Sequence, residues 1–193
     1  MSSGTVDRAP RRQAGRAADT VARLTAAAVE ELQAVGYDRL TVRAVARRAG
    51  VAPATAYTWF ASKDHLVAEA FWRAIQALPS PRRQAGTNAA SRVRAAMDGI
   101  GRLSADDSAL AAAATAALLA SDPDVARLRR RIGAAVHQRL VDALGADADP
   151  AVVEALDMLF AGALLHAGLG LFPYAEFADR MARVTALLTG AGR

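Results

Sequence analysis

Residues 41–66 concentrate the side chains of this chain that can bind a polyanion. Guanidinium, hydroxyl and ammonium groups recur there at Arg43, Thr55, Thr58 and Lys63, and these groups donate hydrogen bonds to phosphate oxygens and base edges. The same segment predicts two short helices joined at Gly50 and followed at once by a third. Crossed helices of this kind can lay one helix in the major groove of DNA while a neighbour contacts the backbone.

Patterns that would support catalysis or metal binding are missing from the sequence. His65, His137 and His166 show neither metal-ligand spacing nor i, i+4 pairing. The chain has no cysteine, no glycine-rich phosphate loop and no nucleophile elbow. The carboxylates of Asp106 and Asp107 are adjacent, so they point apart on a helix and are typical of a cap. We therefore expect no enzyme, no cofactor and no metal.

Composition favours an all-α fold. The chain has 193 residues, 53% of them hydrophobic but only 5% aromatic, and alanine is abundant. Runs of β-branched residues with a period of two are absent. Such a length allows one domain or two small ones. The N-terminal segment lacks the apolar stretch of a secretory signal, so we expect a cytoplasmic protein.

The positive charge is unevenly spread. Residues 1–85 hold 13 Lys/Arg and 7 Asp/Glu, whereas residues 86–193 hold 11 and 12. Basic charge confined to one part of a chain suggests a polyanionic partner, although an arginine-rich surface without a partner explains the same numbers.

Helix signals organise the N-terminal third. Apolar residues recur at helical spacing from 18 to 35, and Gly36 stops that helix. Thr41 is placed to cap the next helix, Gly50 to make the turn after it, and Pro53 to begin the third. Ser62 is placed to cap a fourth helix that prolines end after residue 78. The stretch 79–89 is the clearest boundary, and four or five helices follow it.

This segment resembles the TetR family of transcriptional regulators over about residues 18–78. The matching positions are Thr41-Val42-Arg43, Ala46, Gly50-Val51, Thr55, Tyr57, Phe60, Ser62-Lys63 and Leu66. Ala52 and Ala56 depart from the pattern, the first where a capping serine is usual and the second where a larger aliphatic residue is common. Neither change touches the groups that would face DNA.

The resemblance implies a role for each matching position. Arg43 would read a base, and residues 53–59, beginning with Pro53, would enter a major groove. Ala54 and Thr58 would meet thymine methyls or backbone. The groups left to hold phosphates would be Thr41, Thr55, Tyr57 and Lys63. Arg43 as a solvated charge and Tyr57 as a core residue are the competing interpretations.

The first 17 residues are expected to form a disordered basic arm, since they show no periodicity and are rich in Arg, Ser, Gly and Pro. Arg8, Arg11, Arg12 and Arg16 would either lie along a minor groove or remain solvated. We divide the rest into a helix-turn-helix DNA-binding domain at 18–65 and a helical effector-binding and dimerisation domain at 66–193.

In the resembled family the C-terminal half encloses a small ligand and pairs two chains. The helix predicted at about 149–172 is apolar on nearly all sides, so it is either buried or in an interface, and with the helix at about 174–189 it would form the homodimer. A membrane span is disfavoured because glycines, His166 and Pro173 dilute the apolar stretch. The expected effector is small and apolar or amphipathic. Its candidate contacts are Phe71, Trp72, Met97, Ile100, Met158, Phe160 and His166.

The sequence thus predicts a homodimeric, ligand-responsive regulator, more specifically a repressor, that binds a palindromic double-stranded DNA operator. A helical protein–protein adaptor without DNA binding is the alternative. It would explain the bundle but not the series of Thr-x-Arg, glycine turn and Ser-Lys.

Overall fold

The computed structural model describes residues 8–79, 87–145 and 148–190, and its regular elements within these ranges are all helices, which confirms the all-α prediction. A 3-10 turn, Tyr174–Glu176, precedes the last helix. The helices are α1 Arg8–Val35, α2 Val42–Arg48, α3 Pro53–Trp59, α4 Lys63–Ala77, α5 Ala89–Asp106, α6 Ser108–Leu118, α7 Pro123–Leu144, α8 Pro150–Gly168 and α9 Phe177–Leu188.

Helix α1 begins earlier than the sequence predicted. It starts at Arg8, so residues 8–17, which the sequence assigned to the arm, belong to α1. Alanine and arginine dominate this stretch, and both are strong helix formers. Pro10 falls in the first turn, where a missing N–H costs no hydrogen bond. Arg8, Arg11, Arg12 and Arg16 therefore lie on the helix, while residues 1–7 of the predicted arm lie outside the described ranges.

The connection between α2 and α3 depends on caps at both ends of α2. The Thr41 hydroxyl accepts a hydrogen bond from the Ala44 N–H at 3.1 Å, as predicted. At the other end, Gly50 has a φ of +62°. Its N–H bonds the Arg47 carbonyl at 3.2 Å and the Val51 N–H bonds the Ala46 carbonyl at 2.9 Å, the two bonds of a Schellman motif. Chain direction therefore reverses without leaving these helix-end groups unpaired.

Helix α4 lies at the centre of the molecule. It packs against α1 on one side and against α6 and α7 on the other. Leu66, Phe71 and Ile75 on α4 are at most 1% exposed, so the core runs continuously from the N-terminal helices into the C-terminal bundle. The domain boundary predicted between residues 65 and 66 falls inside this helix, and residues 80–86 of the predicted 79–89 boundary are not among those described.

The last two helices leave apolar side chains on the surface. Met158 is 65% exposed on α8, and Leu187 is 75% exposed on α9. By length and composition α8 could cross a membrane, with 33% of its most apolar window buried. One such helix is weak evidence for a membrane, because core helices of soluble proteins share these properties. An unburied apolar face on a bundle of this size is more typical of a protein interface.

Replacing Gly50 with alanine should destabilise the fold by about 1–2 kcal/mol, the cost of the left-handed region for a residue with a Cβ. The new Cβ would also lie 3.3 Å from the Arg23 guanidinium. Urea unfolding measures the loss. The control is Gly133→Ala within α7, where no neighbouring atom lies within 4 Å of the added Cβ. That variant should gain about 0.5–1 kcal/mol. Equal effects in the two variants would contradict this account of the turn.

Candidate nucleic-acid interface

Helix α3 is anchored along only one edge. Ala56 is fully buried and Phe60, four residues later, is 2% exposed, so these two side chains attach the helix to the core. The remaining α3 side chains face outward. Tyr57 is 52% exposed, which is not the burial of a core residue. A short helix held in this way presents most of its circumference to a partner.

The structure brings most of the predicted DNA contacts onto one exposed region, formed by the start of α2 and by α3. Their placement does not by itself test their roles. The Thr41 hydroxyl is occupied as the α2 cap, and the Thr58 hydroxyl donates to the Ala54 carbonyl at 3.1 Å. The exposed members of the predicted set are Thr41, Arg43, Pro53, Ala54, Thr55, Tyr57 and Thr58.

Arginines on and near α2 fall into two groups. Arg43 and Arg47 lie four residues apart on an exposed face and make no hydrogen bond or ion pair within the described parts of the chain. Arg48, in contrast, bonds the Glu31 carboxylate at 2.7 Å. The two unpaired guanidinium groups are therefore available to a phosphate or a base edge. Arg47 was missed from the sequence, although its i+4 spacing from Arg43 would have placed both on one face.

Lys63 was expected to hold a phosphate, but in the structure its ammonium contacts groups of the chain itself. Its ammonium donates to the Tyr37 carbonyl at 2.9 Å and lies 4.3 Å from the centroid of the Tyr37 ring. The Tyr37 hydroxyl in turn donates to the Asp64 carboxylate at 2.5 Å. Burial, and then this hydrogen bond, raise the pKa of Tyr37. Lys63 thus ties the start of α4 to the turn after α1, and a phosphate would have to compete with that carbonyl.

A second cation fixes the turn before α3. The Arg23 guanidinium, projecting from α1, donates to the Ala49 carbonyl at 2.5 Å and to the Gly50 carbonyl at 3.2 Å. Carbonyls at the end of a helix carry partial negative charge, which a guanidinium complements. Nothing in the spacing of the sequence identifies this contact, because 26 residues separate the partners. It holds α3 in a fixed direction relative to α1.

The caps of α4 and α7 share a hydrogen bond, which joins the N-terminal helices to the C-terminal bundle. The Ser62 hydroxyl caps α4 by accepting from the His65 N–H at 3.0 Å, and it donates to Asp122 Oδ2 at 2.6 Å. The other Asp122 oxygen accepts from the Asp124 N–H at 2.8 Å and so caps α7. We call this pair, Ser62 and Asp122, the cap joint. The Ser62 cap was predicted from the sequence, but its contact with Asp122 was not.

His65 packs directly beside the cap joint. Its ring meets Phe60 edge-on at 5.1 Å between centroids. Its Nδ1 lies 3.7 Å from the Asp124 carboxylate, which is too long for a hydrogen bond. Burial lowers the pKa of His65, with Asp122 and Glu69 acting in the opposite direction. The folded state therefore favours the neutral ring.

The effector contacts predicted from the sequence do not gather in one place. Phe71, Met97 and Ile100 are fully buried, and Trp72 is 7% exposed. Met158 and His166 are on the surface. A cavity of about 700 Å³ lies between α7 and α8, and Phe160 alone of the seven predicted residues lines it. Periodicity marked these side chains as apolar but could not tell the core from a cavity wall.

Acidification should destabilise the protein through His65. The unfolded chain takes up a proton on this residue near pH 6.5, whereas the folded state resists it, so the unfolding free energy should fall as the pH drops from 7 toward 5. Urea unfolding at several pH values measures this slope, which should be smaller in His65→Gln. An identical slope in the variant and the wild type would show that His65 does not couple folding to protonation.

Comparison with known proteins agrees with this geometry. The family model described as "Bacterial regulatory proteins, tetR family" matches residues 24–70, which include α2, α3 and the cap of α4. The chain is 44% identical over 171 residues to the "Uncharacterized HTH-type transcriptional regulator Rv0767c" of Mycobacterium tuberculosis, covering 88% of this chain and 80% of the relative. Mycobacterium bovis has a relative of the same identity and coverage, Mb0790c. These relatives are regulators and not enzymes, in line with the expectation of no catalysis.

Solved structures show the same architecture. A TetR transcriptional regulator from Rhodococcus sp. RHA1 aligns with a TM-score of 0.70 at 21% identity, over 88% of this chain and 94% of that one. A second Rhodococcus transcriptional regulator aligns with a TM-score of 0.64 at 25% identity, over 89% and 96%. The family model matches the segment that holds the exposed α3 and its Schellman turn, and the relatives are 44% identical over most of the chain. The chain therefore belongs to the TetR family of helix-turn-helix transcriptional regulators.

Proposed function

We propose that this regulator is a cytoplasmic, ligand-responsive repressor that binds a palindromic operator as a homodimer. The observation that carries the proposal is the exposed surface of α2 and α3, which holds unpaired guanidinium groups on one helix and an almost unburied second helix. We assign DNA binding to residues 18–65, and effector binding and dimerisation to residues 66–193. Two such surfaces related by a two-fold axis would read two half-sites.

Arg43 is the proposed base reader. It is exposed, its guanidinium is not committed to another residue among those described, and it lies at the beginning of α2. A guanidinium can bond both acceptors of a guanine edge, whereas an ammonium is a point charge that cannot form the same fork. Exchange of arginine for lysine therefore separates base reading from simple phosphate attraction.

Dimerisation is assigned to α8 and α9. Met158 and Leu187 are exposed on these helices, at 65% and 75%. A homodimer interface is richer in apolar area than an ordinary surface, and self-complementary patches give two-fold symmetry. An effector would release the operator if it bound one separation of the two DNA-binding surfaces better than the other.

Arg43→Ala should weaken operator binding by about 1–3 kcal/mol and relax the base preference at one position. Arg43→Lys should lose that preference too, although it keeps the charge. The control is Arg130→Ala, which removes an exposed arginine from α7. The operator is first selected from random DNA with the wild-type protein, and binding is then measured by fluorescence anisotropy. If Arg43→Lys kept the full base preference, Arg43 would be a phosphate contact.

Met158→Glu should dissociate the dimer, since the interface would bury a charge without a partner. Light scattering should give twice the chain mass for the wild type and the single chain mass for the variant. Val35→Glu is the matched control, because Val35 is 37% exposed at the end of α1, away from α8 and α9. A dimeric Met158→Glu protein would remove α8 from the interface.

A further inference from the structure

The cavity between α7 and α8 is an apolar groove that the core does not fill. The C-terminal end of α6 closes one end of it, and Leu118, Ile132, Phe160 and Leu164 form its apolar walls. Its volume of about 700 Å³ is that of a small-molecule site. We refer to it as the α7–α8 groove.

Two helix-interior glycines keep this groove open. Gly133 on α7 and Gly162 on α8 both line it, and a Cβ added at either would meet no atom within 4 Å. Neither has a positive φ. Glycine inside a helix costs about 1 kcal/mol relative to alanine. Within a single subunit neither backbone conformation nor close packing accounts for these glycines, whereas an occupant of the groove does.

One end of the groove carries a polar pair. His137 Nδ1 lies 2.7 Å from the Asp157 carboxylate, and both residues line the groove. Because a carboxylate only accepts, the Nδ1–H is the donor of this bond, and in that tautomer Nε2 carries the acceptor lone pair. A ligand hydroxyl or N–H can donate to that nitrogen. The negative charge of Asp157 disfavours an anion at the same position.

At the opposite end, none of the described residues that line the groove offers a free cation. Arg129 donates to the Leu118 carbonyl at 2.7 Å and to the Ala120 carbonyl at 2.9 Å, so its guanidinium is committed to the end of α6. Thr115 lines the groove nearby and donates to the Ala111 carbonyl. Beside it lies the buried hydroxyl of Tyr174. An anionic ligand therefore has no counter-charge at either end.

From these contacts we infer that the α7–α8 groove binds an elongated, neutral, largely apolar small molecule whose single hydrogen-bond donor meets His137. Arg129 and His137 are eight residues apart on α7, which sets the distance between the two ends at roughly 12 Å. The apolar body of the ligand lies between Ile132 and Phe160.

This site is connected to the DNA-binding helices, and in that respect the inference rests on the proposed function. Arg129 holds the carbonyls of Leu118 and Ala120, and Asp122 of the cap joint follows two residues later. A ligand that moves the end of α6 therefore moves the residue that is bonded to Ser62 at the start of α4. The segment from Leu118 to Asp122 therefore couples the groove to the DNA-binding surface.

Binding is tested without DNA, using the fluorescence of N-phenyl-1-naphthylamine, a neutral apolar probe with one N–H. The wild type should show saturable binding, and Gly133→Leu, which fills the groove, should bind at least tenfold more weakly. Gly15→Leu is the matched control, because its Cβ also meets no atom within 4 Å and it lies on α1. Absence of saturable binding, or equal affinity in Gly133→Leu and the wild type, overturns the inference.

The donor is tested by competition with 1-phenoxynaphthalene, which has nearly the same shape but no N–H. The wild type should prefer the amine at least fivefold, and His137→Phe should lose the preference while still binding both compounds. An equal preference in His137→Phe and the wild type would exclude His137 as the acceptor and overturn the assignment of ligand class.

A second copy of the chain is the other possible occupant of the groove. Light scattering tests it by giving the oligomeric mass of Gly133→Leu and of the wild type. A dimeric wild type and a monomeric Gly133→Leu would show that the groove is an interface between subunits and would overturn the ligand proposal. The same proteins are assayed for binding to the selected operator. Probe binding without an operator complex would refute the proposed function alone, and an operator complex without probe binding would refute the groove alone.

Discussion

The packing of α4 against both halves of the molecule is the constraint on which the other features depend. Its buried side chains contact α1 on one side and α6 and α7 on the other, and its N-terminal cap is bonded to the cap of α7. The N-terminal helices therefore have no independent hinge at the point where the sequence suggested a domain boundary. A shift in the bundle must either move α4 or break the bond between Ser62 and Asp122, and moving α4 turns α2 and α3 with it.

The arginines and the lysine of this chain differ in function according to what neutralises them. Arg23, Lys63 and Arg129 each bond carbonyls at or just after the end of a helix, where the partial negative charge is concentrated. These cations hold helices together, and DNA would have to compete for them. Arg43 and Arg47 lack such partners in the described structure. The positive charge count of the N-terminal part therefore overstates the charge available to a polyanion, and geometry identifies the available part.

Local sequence signals predicted the helix caps and the turn well. They could not predict contacts between residues that are far apart in the sequence. Thr41, Gly50 and Ser62 do what their positions indicated, because a cap or a turn needs only residues a few places away. Proline near the N-terminus was interpreted as a sign of disorder, but in a first turn it is compatible with a helix. Of the predicted effector contacts only Phe160 lines the α7–α8 groove, because a helical stripe looks the same whether it faces the core or a void. The contacts of Lys63 and of Ser62 span 26 and 60 residues, and no pattern within one helix encodes them.

Lys63 is the single lysine of the chain, and its ammonium is held between a carbonyl and an aromatic ring. Amine-directed reagents therefore have one lysine side chain as a target, and that amine becomes more accessible when the corner between α1 and α4 opens. The molecule thus carries a built-in chemical reporter for that corner. Its acylation rate, followed by intact mass with and without bound DNA, reads the motion of α4 without any introduced label.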